Sequence, residues 1–255
     1  MKILIIGHGV VGKAVASVFN NKDIIIIDPK YTKNKITDYK DAKFDAVFVC
    51  VDTPYEDKFK LLDRVLKECN VNLKNNIICC KSTASPLFYK NASKQYTNIN
   101  LIFYPEFLSH WSNKEDFKNQ EYAIFGGDRN KGKELFKILK PRLRKLKEVY
   151  YISIDAAAYI KYCENYFLAL KVTFANDIYK LHKKIKIKEP FNTVTSIIGA
   201  DKRIGTSHFQ VPGRDKQFGW GGHCFPKDIK ELIDFSNSPL ASFVFELNNI
   251  HRRAS

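Results

Sequence analysis

No apolar run in this sequence of 255 residues approaches the length of about 20 that a membrane-spanning helix requires. The opening stretch Met1-Lys2-Ile3-Leu4-Ile5-Ile6 is too short for a secretory signal and lacks a cleavage pattern, so strand is the better reading. No Cys-x-x-Cys pair exists among the six cysteines, Cys50, Cys69, Cys79, Cys80, Cys163 and Cys224, and most of them sit in apolar segments. That usage argues against a disulfide scaffold or a zinc site and predicts a reduced, cytoplasmic protein with no membrane partner. The six histidines are scattered without metal-ligand spacing, and no metal is expected. Internal repeats and low-complexity linkers are also missing.

Acidic residues are in short supply. Twenty-seven Asp and Glu against 42 Lys and Arg leave a net charge of +15. A basic surface attracts nucleic acid or anionic small molecules. No helix-turn-helix, zinc finger or aromatic RNA-binding signature accompanies the charge, so no specific nucleic-acid partner is expected. Lysine and asparagine both have A-rich codons, and base composition alone would produce the same excess. The 45% of hydrophobic residues suffices for a proper core, in one large domain or two moderate ones.

Short apolar runs punctuate the first part of the chain: Lys2–Ile6, Ile24–Asp28, Ala46–Cys50, Ile77–Lys81, Leu101–Tyr104 and Tyr122–Phe125. Turn residues bound each run, and helix-like segments separate several of them. Buried parallel strands with crossover helices produce this pattern. Residues 1–153 are therefore expected to form a Rossmann-like, doubly wound, mostly parallel α/β sheet.

Gly7-His8-Gly9-Val10-Val11-Gly12 follows the first strand and opens a helix expected over Val10–Asn20. In that setting G-x-G-x-x-G is a dinucleotide fingerprint. Gly7 permits the tight turn, Gly9 lets a pyrophosphate approach, and Gly12 lets helix pack on strand. The helix N-terminus, from Val10 and Val11, faces the phosphates. Asp28 ends the second strand, where a carboxylate accepts from a ribose diol and repels a 2′-phosphate. NAD is thus expected over NADP. Val51–Pro54, Lys81–Pro86 and Tyr104–Leu108 also lie at carboxyl ends of strands, where such sheets bind ligands. Ordinary turn chemistry accounts for Thr-Pro and Ser-Pro equally well.

Residues 154–255 read as helical. Ile160, Cys163, Phe167, Leu170, Phe174, Ile178 and Leu181 recur at helical spacing within a long helix expected over Asp155–Lys184. Lys161 and Asn165 share a face, and spacing alone reads them as a solvated lysine beside a surface asparagine. Pro190 is expected to open a short helix closing near Gly199. Further helices are expected over Pro226–Phe235 and Pro239–Arg252. In Phe218-Gly219-Trp220-Gly221-Gly222-His223-Cys224-Phe225-Pro226-Lys227-Asp228, a cysteine follows a glycine-rich turn. Pro226 suits the first helical position and Asp228 the first turn. Cys224 would then sit at a helix N-terminus, which favours thiolate. The helix dipole supplies only about 0.3–1 kcal/mol, so a nearby cation is also required. A buried structural cysteine beside a packing turn is the other reading.

These motifs, in this order, together with Gly199-Ala200-Asp201-Lys202-Arg203-Ile204-Gly205, resemble the UDP-glucose/GDP-mannose 6-dehydrogenase family over nearly the whole chain. The resemblance implies oxidation of a sugar C6 hydroxyl to a carboxylate by two NAD in succession, on a nucleotide sugar such as UDP-glucose. Cys224 would be the nucleophile, forming a thiohemiacetal and then a thioester. Lys161 and Asn165 would face the oxyanion, and Glu106 would be the base for hydrolysis. Thr83 and Asp228 would position the water. Thr53, Pro54, Thr83 and Lys227 would touch the cofactor. Glu106, Phe107, Leu108, Phe218, Gly219 and Gly222 would border the sugar. Arg203 would reach the partner's substrate across a homodimer joined through the long helix of an all-helical dimerisation domain. The sequence departs from the pattern at His110, where the family carries a second Glu, and in the long loop Gln210–Gln217. It ends soon after the cysteine, which implies that the family's C-terminal nucleotide-gripping domain has no counterpart. Two other functions fit some of the same residues: a β-hydroxyacid dehydrogenase, and a non-catalytic NAD-binding module.

Overall fold

A computed structural model describes residues 1–107 and 113–253. Leu108 and His110 lie outside the described residues. Contacts divide the chain into Met1–Lys161 and Tyr162–Ser255.

The first unit is built on β1 (Ile3–Ile6), β2 (Ile24–Ile27), β3 (Ala46–Val49), β4 (Ile77–Cys80), β5 (Asn100–Phe103), β6 (Tyr122–Gly127) and β7 (Glu148–Ile152). They form one sheet in the order β2-β1-β3-β4-β5-β6-β7. All neighbours are parallel except β5 and β6. Successive side chains enter opposite faces. Leu4, Ile6, Val47 and Val49 join one apolar cluster, while Ile3, Ile5, Ala46 and Phe48 join the other. Burial on both faces is why the central strands read as unbroken apolar runs.

The helices α1 (Val10–Ala16), α2 (Lys60–Asn72), α3 (Pro86–Gln95), α4 (Asn113–Asn119) and α5 (Arg129–Leu139) connect these strands. The first is shorter than expected. Val18 and Phe19 bond back to Val15 and Ala16, so the chain tightens into turns and Phe19 enters the core. The seventh strand was not expected. It is partly exposed along its length, so it lacks the continuous apolar run of its neighbours.

The long helix α6 spans Ile154–Ile185. Its first turns belong to the sheet unit, where Ile154, Ala157 and Ala158 pack into the core. Gly126 allows this approach, since a Cβ there would lie 2.5 Å from the Ala157 methyl. The second unit comprises the rest of α6 with α7 (Phe191–Ala200), α8 (Cys224–Ser236) and α9 (Pro239–Arg253). One of its buried clusters joins Ala169, Trp220, Ile229 and Val244. Helix α8 starts two residues before the position expected from Pro226. His223 already has helical dihedrals, and the missing N–H of a first-turn proline leaves no bond unmade.

Candidate active site

Strands β1 and β3 are neighbours on which the chain reverses its winding direction, the place where open sheets of this kind form a ligand crevice. Gly7 follows β1 with φ +89°, and a Cβ there would lie 2.6 Å from the Cys50 carbonyl oxygen. A Cβ on Gly12 would meet the Gly7 carbonyl oxygen at 2.1 Å, so strand and helix approach as the fingerprint requires. Gly9 is different: nothing lies within 4 Å of its would-be Cβ. Helix α1 has no side-chain cap and no acidic residue in its first turn, which leaves the amides from Val10 and Val11 for an anion. Asp28 sits at the end of β2. Its carboxylate accepts from His8 N at 2.7 Å and from Lys30 N at 2.9 Å. A carboxylate has about four lone-pair sites, so capacity remains for a ribose diol.

The turns after β3 and β4 are fastened together. Thr53 Oγ1 donates to Thr83 O at 2.8 Å, and Ser82 Oγ to Val51 O at 2.7 Å. Both threonines are buried. Pro54 leads into a single 3-10 turn, Tyr55–Asp57. Ser85 caps α3 by accepting from Phe88 N. These residues are therefore turn formers and lie at the ligand edge at once.

Lys161 and Asn165 are both buried, at 5% exposure each, so the solvated reading of this pair is wrong. Lys161 Nζ lies 5.0 Å from the centre of the Phe107 ring. A second buried lysine, Lys81, stands one residue beyond β4. Its Nζ lies 3.5 Å from the Tyr104 ring centre and donates a long bond to Pro105 O at 3.4 Å. Burial holds its ammonium down to about 8, with Glu106 and Lys161 among the charges that act on it. The sequence offered no reason to single out Lys81 within its motif.

In the second unit Cys224 is the first residue of α8 and is exposed, whereas Cys50, Cys69, Cys79 and Cys80 are buried. Because the helix starts early, Asp228 falls in its second turn rather than its first, and it is buried. Its carboxylate accepts from Asn165 Nδ2 at 2.6 Å and pairs with Lys227 Nζ at 2.5 Å. The glycine turn ahead of the cysteine needs left-handed backbone at Gly219 (φ +69°) and Gly222 (φ +76°). Asn176 Oδ1 accepts from Gly219 N at 2.9 Å, Asn248 Oδ1 from Trp220 N at 2.7 Å, and Thr173 Oγ1 from Trp220 Nε1 at 2.9 Å. Asn176 was readable in part. It follows Asn165 by eleven residues, about three turns, which places a second polar residue on the same helix face. Phe218 packs beside Tyr179, with ring centres 5.8 Å apart. Arg203 is exposed and paired with Asp201 at 2.5 Å, while Lys171 Nζ donates to the carbonyls of Ile204 and Gly205 behind it. Among the described residues no group of His, Cys, Asp or Glu could hold a metal, and no helix is long and apolar enough to cross a membrane.

Residues 155–249 match the model of the UDP-glucose/GDP-mannose dehydrogenase family, central domain. The UDP-glucose 6-dehydrogenase of Campylobacter jejuni is 30% identical over 298 aligned positions, covering 99% of this chain and 73% of that protein. The enzyme of the same name from Rickettsia prowazekii is 30% identical over 204 positions, covering 74% of this chain and 44% of that protein. Among solved structures, a UDP-glucose dehydrogenase from Pyrobaculum islandicum superposes with a TM-score of 0.82 at 22% identity, covering 98% of this chain and 68% of that one; this likeness speaks to fold. Sequence relationship over most of a relative's length, on a shared fold, establishes that the chain belongs to the UDP-glucose/GDP-mannose dehydrogenase family.

Proposed function

We propose that this protein oxidises the C6 hydroxyl of a nucleotide sugar to a carboxylate with NAD, through a covalent adduct on Cys224, and that UDP-glucose is its substrate. The observation that carries the reading is the placement of Cys224 at the start of α8, exposed and four residues before the buried Asp228. A helix N-terminus favours the thiolate, and the fixed glycine turn lets a ligand come close to the backbone.

The fingerprint fits NAD. Gly9 leaves open the space a side chain would fill, the first amides of α1 are uncapped, and Asp28 has acceptor capacity to spare. Thr53, Pro54, Thr83 and Lys227 complete the proposed cofactor contacts. The chemistry NAD supplies when bound is acceptance of the hydride that leaves C6 in each of the two oxidations.

The chain's own residues do the rest. Loss of hydride from C6 and of the hydroxyl proton to solvent leaves the C6 aldehyde; the Cys224 thiolate adds to its carbon, and the carbonyl electron pair moves onto oxygen. The Lys161 ammonium and the Asn165 amide stabilise that oxyanion. Loss of hydride from the adduct leaves a thioester. Glu106 takes a proton from water, with Thr83 and Asp228 positioning it. Addition of that water breaks the carbon–sulfur bond and returns the thiolate. Phe107, Phe218, Gly219 and Gly222 border the sugar.

Phe167, Phe174 and Leu181 recur every seven residues on α6 and are 58, 50 and 52% exposed. This exposed apolar seam supports a homodimer in which a second copy of the chain packs along α6 and Arg203 reaches the partner's substrate.

The test is NADH production from NAD by the purified chain over a panel of UDP- and GDP-sugars. UDP-glucose should be turned over, and Cys224→Ser should lose full turnover while still binding NAD. Intact NAD binding with no turnover of any sugar would favour a non-catalytic module. Turnover that survives Cys224→Ser would favour chemistry of the β-hydroxyacid dehydrogenase kind.

A further inference from the structure

The most unusual side chain outside the residues assigned above is Lys81. It is 1% exposed and stands at the carboxyl end of a central strand. Burying an ammonium is costly, and an apolar side chain of similar volume would fill the same space at lower cost. Its position suggests what the charge is for. The Nζ sits over the face of Tyr104 and donates to the carbonyl of Pro105, the group immediately before Glu106. Tyr104 is itself held by Gln120 and packs 4.8 Å from Phe125, measured between ring centres, so the platform under the ammonium is rigid.

We propose that Lys81 is a positioning residue for Glu106: by pinning the Pro105 carbonyl and holding an ammonium beside the carboxylate, it sets the orientation in which that carboxylate meets water. The inference rests on the reading of Glu106 as the base. The charged and titratable groups that face Lys81 are the thiols of Cys79 on β4 and Cys50 after β3, Glu106 after β5, and Lys161 on α6. The Glu106 carboxylate favours the ammonium, whereas Lys161 and burial oppose it; burial pushes the two thiols up, so they are neutral where Lys81 titrates. Burial is the largest of these influences and brings the ammonium to about 8, so a modest rise in pH removes the charge.

Two readouts test this, and they fail independently. In the first, the carboxyl carbons of glutamate are isotopically labelled and the Glu106 resonance is assigned by its loss in Glu106→Gln. In wild type the carboxyl resonance of Glu106 should move in a step as Lys81 loses its proton, near 8. Lys81→Met should abolish the step. Lys81→Arg, which remains charged throughout, should abolish it as well and covers the case in which the methionine variant does not fold. A wild-type carboxyl signal that stays flat through this range, or a step that persists in Lys81→Arg, overturns the inference. In the second readout, NADH formation from UDP-glucose and NAD is followed against pH. Lys81→Met should lower kcat about tenfold with KM within about twofold, and Lys81→Arg should recover part of the loss. An unchanged kcat and pH profile in Lys81→Met also overturns it. If wild type turns over no sugar yet shows the titration step, the dehydrogenase reading falls and the coupling between the two residues stands.

Discussion

Asn165 Nδ2 donates to Asp228 Oδ2 at 2.6 Å, a bond between two buried residues 63 positions apart. It ties the helix that opens with Cys224 to the long helix α6. Asp228 is 2% exposed, and a carboxylate so buried is tolerable only with partners; Asn165 takes one oxygen and Lys227 the other. The same bond that makes the fold affordable therefore fixes where the cysteine stands.

Removing one partner should expose that dependence. Asn165→Ala leaves a buried carboxylate oxygen short of a donor and should destabilise the protein by about 1–3 kcal/mol. Asn165→Asp should do more harm, because it places a second carboxylate against the first. Urea unfolding of the two variants checks the order. Equal stability of Asn165→Asp and wild type would mean that the bond contributes nothing.

The glycines of the fingerprint should separate fold from binding. Gly12→Ala drives a methyl into the Gly7 carbonyl oxygen at 2.1 Å and should cost about 1–3 kcal/mol or more in unfolding. Gly9→Ala meets nothing within 4 Å and should leave stability within about 0.5 kcal/mol of wild type. It should nevertheless weaken NAD binding, because the methyl occupies the space assigned to the pyrophosphate. An NAD titration of Gly9→Ala that matches wild type would remove the fingerprint's role.

How much of this was legible in the sequence differs from residue to residue. Strands β1, β3 and β4 announce themselves because burial on both faces demands unbroken apolar runs, and Gly7 and Gly12 because their close contacts tolerate no side chain. Strand β7 does not, since a half-exposed edge strand needs no such run. The fastening of the glycine turn was also hidden. Thr173 and Asn176 reach Trp220 and Gly219 across 47 and 43 residues, separations over which local pattern carries no information. Lysines are usually solvated, and only the packed fold shows that Lys81 and Lys161 are not. The seven-residue spacing of Phe167, Phe174 and Leu181 was visible as helical periodicity, but its exposure was not.

Thiol labelling should rank the cysteines. Cys224 should react first with a disulfide reagent, since it is exposed at a helix N-terminus. Cys50, Cys69, Cys79 and Cys80 should stay protected until the protein unfolds. All four are buried, and burial pushes their thiols up, that of Cys80 to about 11. Cys224→Ser should delete the fast phase. A fast phase that survives would place the reactive thiol elsewhere.

The exposed seam on α6 makes oligomeric state testable. Phe174→Glu puts a charge in the middle of the row formed by Phe167, Phe174 and Leu181 and should shift the protein toward monomer in analytical ultracentrifugation. At an exposed position it should change the stability of the isolated chain little. A wild type that sediments as a monomer at all concentrations would defeat the dimer.

His251 sets the expected response to acid. It lies on α9 with no exposed surface, and neither ring nitrogen has a hydrogen-bond partner among the described residues. Burial is the main influence disfavouring its imidazolium, the Lys180 ammonium adds to it, and Asp177 opposes both. The folded protein thus holds this ring neutral to a lower pH than the 6.5 at which an imidazole titrates in the unfolded chain. The unfolded state takes up the proton first, so stability is present above 6.5 and is lost as pH falls below it. His8 and His208 shift in the same direction through burial, which means wild type alone cannot isolate the effect. The difference between wild type and His251→Phe can, because the other two rings are common to both. As pH falls from about 7.5 to about 5.5, the urea midpoint of wild type should drop relative to that of His251→Phe. A difference between the two that stays constant over this range would show that the ring carries no proton-linked cost.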